Sequence, residues 1–244
     1  MNKIIKITLF FLTATFLLWF FFFRSSEDVI APHLEEITEE SLIDFSLEER
    51  NIYEENEELM YRVNISYPYF TNDDFNRVNR EIELIIDIIL SEFKELAVLP
   101  IANDFGLDSS ELNVDYVLAR NDGKIFSVEF IIHSAYLGAP RPIIDYISFN
   151  YDMERMRKIE ITDCFDDFIF LSEYVKGQLS NKLGDSFFES GVEPLSRNYS
   201  KFVIKDNRLE IIFGYHQVAP RAMGPIRANI YFSDLREQMI CNLE

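Results

Sequence analysis

The stretch FVIKDNRLEIIFGYHQVAPRAMGPIRANIYF, residues 202–232, decides the fold. Two alternating apolar runs flank Asp206 and Asn207, residue types that favour tight turns, so the first half predicts a β-hairpin. A loop punctuated by proline and glycine, 218–225, then leads into a third apolar run, which predicts another strand. Because the stretch holds no catalytic motif, it indicates architecture rather than activity.

Upstream of this stretch, residues 74–98 carry apolar side chains three and four positions apart, behind cap residues at 71–74. This spacing predicts a long helix. Other segments are predicted from alternation, turn residues and caps: strands at 59–67, 112–120, 124–136 and 143–152, and helices at about 166–183 and 233–239. Pro68 is expected to end the first of these strands. Runs of strands separated by single helices predict an α+β fold with mostly antiparallel sheets packed with two main helices.

The N-terminal segment predicts a membrane anchor. Residues 7–23 form an apolar run without a charge, and with its flanks the run approaches the about 20 residues that span a bilayer. Lys3 and Lys6 precede it, so residues 1–6 are expected in the cytoplasm and the rest of the chain outside. No small-residue cleavage site follows the run, which favours an uncleaved single-pass anchor in the cell membrane over a signal peptide.

Negative charge is concentrated after the anchor. Residues 24–58 hold 13 acidic and two basic side chains, which predicts a solvated acidic stalk. Apolar residues between Ile37 and Leu47 leave open whether part of the stalk docks onto the folded region at 59–244. That region is predicted to be one α+β unit or two subdomains, about 59–135 and 136–244. The formal net charge of −19 favours cationic partners and excludes nucleic acid.

Cys164 and Cys241 are the only cysteines, in a chain expected to face an oxidising compartment. A disulfide bridge between them is possible but is not required by the pattern. Cys164 stands where a buried apolar residue would fit and Cys241 is near the end of the chain, so two unpaired thiols are the simpler interpretation.

Motifs that carry chemistry are few. The three histidines, His33, His133 and His216, form no metal-binding spacing. The sequence has no nucleophile elbow, phosphate-binding loop or dinucleotide fingerprint. We therefore predict neither a metal nor a cofactor.

Two loops, AYLGAPRP at 135–142 and QVAPRAMGP at 217–225, offer candidate binding residues. Each holds an arginine in a turn stiffened by proline and glycine, and a guanidinium fixed in this way suits a carboxylate or carbonyl group. The alternative is that these loops only turn the chain and that their arginines are solvated. The candidate ligand-binding residues are Tyr136, Arg141, His216 and Arg221.

Three stretches, SYPYFTNDDFNRVNREI at 66–82, AYLGAPRPIIDYISFNYDMERMRKIEITDCF at 135–165 and residues 202–235, resemble the RsiV-like extracytoplasmic family, a pair of domains of unknown function. The resemblance covers about residues 59–239. Its most specific part is the loop VAPRAMG at 218–224. Arg141 stands where the family has histidine and Arg221 where it has tyrosine, so a site built on those two side chains would differ here.

Members of that family include an anti-sigma factor whose outer domain binds lysozyme, and polysaccharide deacetylases that carry the module ahead of their catalytic domain. The resemblance implies an extracytoplasmic α+β binding module. Neither the cytoplasmic anti-sigma segment nor a deacetylase domain is recognised in this sequence.

We therefore expect a membrane-anchored extracytoplasmic binding or sensor module for a protein or cell-envelope ligand. A cationic protein such as lysozyme, or cell-wall material, is the expected partner. The alternatives are an envelope hydrolase or accessory domain with an unrecognised site, and a structural ectodomain of a membrane assembly. The sequence favours a role without catalysis.

Overall fold

The computed structural model describes residues 45–99, 108–241 and 243. The predicted cytoplasmic stub (1–6), the anchor (7–23) and the stalk up to residue 44 lie outside these residues. Within the described part, no helix is both long enough and apolar enough to cross a membrane. The folded part, Asp44–Glu244, forms one compact unit.

In the described part of the chain, nine strands form a six-stranded and a three-stranded sheet, and four α-helices accompany them. The strands are β1 (Leu47–Asn56), β2 (Tyr61–Phe70), β3 (Ser110–Asn121), β4 (Ile125–Ala135), β5 (Ile143–Asp152), β6 (Arg157–Lys158), β7 (Phe202–Lys205), β8 (Arg208–Phe213) and β9 (Ile226–Tyr231). The helices are α1 (Asn76–Ala97), α2 (Ile161–Cys164), α3 (Phe168–Leu183) and α4 (Phe232–Leu235). The predicted α+β class is confirmed.

The first sheet has the order β1-β2-β3-β4-β5-β6, and its neighbours are antiparallel except for β2 and β3. The parallel pair needs a crossover, which α1 supplies between the two strands. The predicted hairpin turn after Asn121 is present, and β3 and β4 flank it. Gly123 lies there at φ 86°, close against the ring of Phe45, so only a residue without a side chain fits.

The predicted long helix corresponds to a 3₁₀ turn at Asp73–Phe75 followed by α1. The carboxamide of Asn72 accepts a hydrogen bond from the backbone N–H of Asp74, as expected of a cap. The buried stripe of α1 covers one face of the first sheet and forms the first core with it. This core includes Val63, Ile65, Ile82, Ile86, Val128 and Phe130.

Three local predictions are corrected by the structure. The folded region begins before residue 59, because β1 lies in the range assigned to the stalk and pairs along its whole length with β2. Pro68 does not end β2, which runs to Phe70. β3 pairs only with Tyr61–Ile65, so at Pro68 the strand is bonded on one side only and tolerates a residue without an N–H. The terminal helix is shorter than predicted and ends at Leu235.

The second sheet has the order β7-β8-β9, all antiparallel. Asp206 and Asn207 form the two-residue turn of its hairpin, as predicted, since Lys205 pairs with Arg208. The helix α3 covers this sheet and forms the second core with it. The members of this core include Leu171, Val175, Leu179, Ile204, Leu209, Ile211 and Ile230.

The two sheets are joined by buried polar side chains of the first sheet that bond to the backbone of β7. Ser127 Oγ accepts a hydrogen bond from the N–H of Ile204 at 2.9 Å and donates to Asn150 at 2.6 Å. Asn150 in turn donates to the carbonyl of Phe202 at 2.8 Å. These bonds satisfy backbone groups of an edge strand that would otherwise be buried without partners.

A disulfide joins Cys164 to Cys241, with their Cα atoms 4.5 Å apart. The interpretation of two unpaired thiols is therefore wrong. Sequence position suggested a loose C-terminus, but this end is held in place. Arg120 donates to the carbonyl of Leu243 at 2.6 Å, and the N–H of Ile240 donates to the carbonyl of Cys164.

Candidate functional site

The four candidate binding residues are placed differently from one another. Tyr136 is half-buried, and its ring centroid lies 5.5 Å from that of Phe93 on α1, so it packs beside the first core. Arg141 is exposed between β4 and β5 and has no hydrogen bond or ion pair with a described residue. Among the residues described, no hydrogen bond, ion pair or ring contact joins any two of the four side chains.

His216 lies in a left-handed turn after β8, at φ 64°, with its side chain exposed. Its ring meets the ring of Phe188 edge-on at 5.2 Å. The next residue, Gln217, fixes the loop: its side chain accepts from Gly214 N–H at 3.1 Å and donates to two carbonyls, those of Gly191 and Asn198. The loop that carries His216 and Arg221 is thus held by bonds at its base.

Arg221 begins a short 3₁₀ turn, Arg221–Met223, and its guanidinium carbon lies 5.7 Å from the ring centroid of Tyr215. A second pair of this kind is formed by Arg227 and Tyr146 of β5, with the guanidinium carbon 5.4 Å from the ring centroid. We call these four residues the arginine–tyrosine ladder. Burial raises the pKa of Tyr146 above its ordinary value, although the charge of Arg227 opposes the shift.

Arg227 also joins the two sheets by ion pairs. It donates to both carboxylate oxygens of Glu129 at 2.5 and 3.0 Å, and to Glu210 at 2.8 Å. Lys205 reaches Glu210 from β7 at 2.9 Å. Burial alone would raise the pKa of Glu210, but the bonds from Lys205 and Arg227 hold it below its ordinary value. Because its donors are engaged, Arg227 has a structural role, whereas Arg221 presents a guanidinium to solvent.

A groove of about 230 Å³ opens between β5, residues 158–162 and the 3₁₀ turn Ser196–Tyr199. It brings Lys158 and Arg197 to one place, with Glu160 at 4.0 Å from Lys158 Nζ. Hydroxyl and amide groups of Ser148, Asn150, Thr162, Ser196 and Ser200 line it as well, together with the apolar residues Ile159, Ile161 and Phe202. Sequence reasoning missed this groove, because its residues come from three separate segments and none was singled out as a binding residue.

The strand β1 and the turn after it form an acidic surface. Glu48, Glu49, Glu54 and Glu55 belong to the strand, and the exposed Glu57 and Glu58 follow in the turn. Glu48, Glu54 and Glu55 have cationic partners in Arg50, Lys94 and Arg62. No ion pair joins Glu57 or Glu58 to a described cation, so negative charge remains uncompensated at this end of the sheet.

In the part of the chain that the structure describes, no group of three His, Cys, Asp or Glu side chains is placed to hold a metal ion. Nor does a hydrogen bond join a described histidine to a carboxylate or a hydroxyl group. Among the described residues, no histidine is therefore hydrogen-bonded as the base of a catalytic triad would be.

Residues 163–233 match the family DUF3298, described as a protein family of unknown function. The matched range contains Tyr215, Arg221 and Arg227 of the ladder. The chain is also similar to the peptidoglycan-N-acetylmuramic acid deacetylase PdaC of Bacillus subtilis (strain 168), at 24% identity over 189 residues. That alignment covers 72% of this chain and 39% of PdaC, so the chain spans less than half the length of this relative.

Two solved structures share the fold. A DUF3298 family member from Bacteroides fragilis NCTC 9343 has a TM-score of 0.58 at 14% identity, over 81% of this chain and 95% of that one. A DUF3298 family protein from Pseudomonas aeruginosa PAO1 has a TM-score of 0.60 at 12% identity, over 80% of this chain and 94% of that one. The fold is thus that of DUF3298 proteins, and the narrower RsiV-like assignment stays a prediction.

Proposed function

We propose that the chain is a membrane-anchored extracytoplasmic binding module whose partner is a cationic protein such as lysozyme. The observation that carries the proposal is the excess of negative charge on the folded part. Residues 45–244 hold 35 acidic and 20 basic side chains, and the acidic surface around β1 leaves Glu57 and Glu58 without a described cationic partner. An excess of one sign raises the encounter rate with proteins of the opposite sign.

Two further observations support the extracytoplasmic part of the proposal. The disulfide between Cys164 and Cys241 is typical of proteins that fold in an oxidising compartment. The relative PdaC is a deacetylase of peptidoglycan, a cell-wall polymer. Both fit a chain anchored by residues 7–23 with its folded part outside the membrane.

The test is a calorimetric titration of the 44–244 fragment with hen lysozyme. A fragment starting at 59 would lack β1 and is unsuitable. We expect saturable binding, and weaker binding by at least about tenfold when salt shortens the screening length from about 20 to 4 Å. Two control proteins are cytochrome c, which is cationic with another fold, and α-lactalbumin, which is acidic with the lysozyme fold. The acidic α-lactalbumin should not bind, and any binding of cytochrome c should weaken with salt as that of lysozyme does. Equal binding of α-lactalbumin, or no binding of lysozyme, would contradict the proposal.

A second candidate function is binding of an acidic cell-wall saccharide, and the groove beside β5 favours it. Arg197 lies there among hydroxyl groups, next to the ion pair of Lys158 and Glu160, in a chain that is otherwise strongly negative. Cations surrounded by hydroxyl and amide groups suit a polyol that carries a carboxylate, as muramic acid does. Titration with a muramyl peptide should show binding that Arg197→Gln weakens by about tenfold. The control is Arg155→Gln, whose side chain is 68% exposed outside the groove.

Of the four loop residues predicted from sequence, Arg221 is the one to which we assign a ligand role. Its guanidinium lies over the ring of Tyr215 and has no ion pair among the described residues. A stacked guanidinium keeps its donor edge free for a carboxylate. Arg221→Gln should weaken binding of a carboxylate ligand such as the muramyl peptide and should leave the free energy of unfolding unchanged. A lower free energy of unfolding instead would assign Arg221 a structural role.

A further inference from the structure

The strand β1 is the edge of the six-stranded sheet, and its side away from β2 pairs with no strand in the described part of the chain. β1 is ten residues long, about twice the usual strand length. The opposite edge of the sheet, β6, has two residues. Backbone N–H and C=O groups on a long free edge are a template for another strand.

Proline and β-bulges, two devices that block strand addition, are absent from β1, and its protection comes from charge alone. The pairing of β1 with β2 runs without a bulge from Leu47 opposite Phe70 to Asn56 opposite Tyr61. A regular edge of this kind has the geometry that a partner strand needs.

Charge decides which strand can add to this edge. β1 holds four glutamates and one arginine, so a second copy pairing with it would bring glutamates close to glutamates across the new ladder, and like charges opposite one another are destabilising. A basic strand would meet opposite charges instead. The exposed side chains on one face, Glu49, Asn51, Tyr53 and Glu55, alternate along the strand. Lysines at every second position of a partner would therefore lie on the same face as Glu49 and Glu55.

We propose that the free edge of β1 binds an extended basic segment of a partner protein, which adds to the sheet as a seventh strand. The inference rests on the proposed function and names the surface and the mode of binding. Backbone hydrogen bonds provide the affinity, and the glutamates select for lysine and arginine. Tyr53, 66% exposed and hydrogen-bonded to Glu55 at 2.8 Å, adds an aromatic contact beside the edge.

The test uses the full chain in non-ionic detergent micelles and a ten-residue peptide of alternating lysine and valine. Amide hydrogen exchange is followed residue by residue along β1. In the free chain, every second amide from Glu48 to Glu55 should exchange rapidly, because alternate N–H groups of an edge strand point away from its neighbour. The peptide should slow these amides by at least about tenfold, because the added strand protects them. A fully N-methylated peptide keeps the charge but lacks N–H donors, and it should bind at least about tenfold more weakly.

Three results would overturn the inference. The first is peptide binding without slower exchange in β1, which would place the peptide elsewhere. The second is an edge that is already protected in the free chain, which would mean that residues 1–44 or a second copy occupy it. The third is equal binding of the N-methylated peptide. Lysozyme binding in the titration described above would leave the proposed function standing in each case.

Discussion

Arg227 connects three strands of the two sheets through side chains alone. It lies on β9 and bonds to Glu129 of β4 and Glu210 of β8. Because both carboxylates are buried, the pairs are screened less by solvent than surface pairs are. These contacts could not be predicted from the sequence, since Arg227 and Glu129 are 98 positions apart. The one local signal was a glutamate in the middle of an apolar strand.

The stability of the chain should decrease in acid through Glu210. Its pKa in the folded state lies below its ordinary value of 4.5, so its contribution is present above about pH 4.5 and is lost as the pH falls through the folded-state pKa. Glu210→Gln should make the acid-induced loss of unfolding free energy shallower in urea titrations at successive pH values. The exposed Glu57→Gln is the control, and an equal change in both variants would contradict this role.

Gly191 and Gly177 should respond to alanine in opposite directions. A Cβ at Gly191 would lie 2.0 Å from the carbonyl oxygen of Gln217, a backbone atom that cannot move aside easily. Gly191→Ala should therefore displace the loop of Gln217 and destabilise the chain by about 2 kcal/mol or more. A Cβ at Gly177, in the middle of α3, would meet nothing within 4 Å.

Gly177→Ala should stabilise α3 by about 0.5–1 kcal/mol, because alanine loses less backbone entropy than glycine in a helix. Urea unfolding of the two variants measures both effects. Equal stability of Gly191→Ala and the parent chain would show that the loop is looser than the structure indicates.

At the scale of elements, the sequence was most informative where a local pattern determines the structure. The helix at 74–98, the turn at Asp206 and Asn207 and the strand at 143–152 all follow from spacing or turn chemistry, and each is confirmed. β1 was missed because its glutamates resemble those of the stalk before it. Its strand character comes from pairing with β2, which is a tertiary effect.

Asn79 joins α1 to the end of β2. This buried residue stands on the apolar stripe of the helix, and its side chain accepts from the N–H of Phe70 at 2.8 Å and donates to its carbonyl at 2.9 Å. Asn79→Ala would leave both backbone groups buried without partners and should cost about 2–4 kcal/mol of unfolding free energy. Asn76→Ala, at an exposed position at the start of α1, is the control and should cost less than about 1 kcal/mol. Similar values for the two variants would contradict the role of Asn79.

At the scale of the whole molecule, the disulfide closes a long loop. Cys164 and Cys241 are 77 positions apart, and restricting a loop of this length in the unfolded chain is worth about 4 kcal/mol. Reductant should therefore lower the urea midpoint of the parent chain. The variant with both cysteines changed to alanine should have a urea midpoint below that of the parent chain even without reductant. Reductant should not change this midpoint. A parent midpoint that is insensitive to reductant would contradict the bridge.

The candidate surfaces were less predictable than the fold. Arg221 was identified because proline and glycine mark its loop. The other two surfaces are the groove with Lys158 and Arg197 and the free edge of β1. Both depend on which segments meet in space, and the sequence does not show this. The charge excess was visible from composition alone. The structure adds where that charge is uncompensated, at the turn after β1.

The central claim, that this chain is a binding module for a cationic protein, is tested most directly by the salt dependence of lysozyme binding. The dissociation constant of the 44–244 fragment and lysozyme is measured between about 20 and 500 mM salt, a range over which the screening length falls severalfold. We expect specific binding that weakens steadily with salt, and further weakening when Glu57 and Glu58 are changed to glutamine. No binding at the lowest salt, or an affinity that does not depend on salt, would contradict the account.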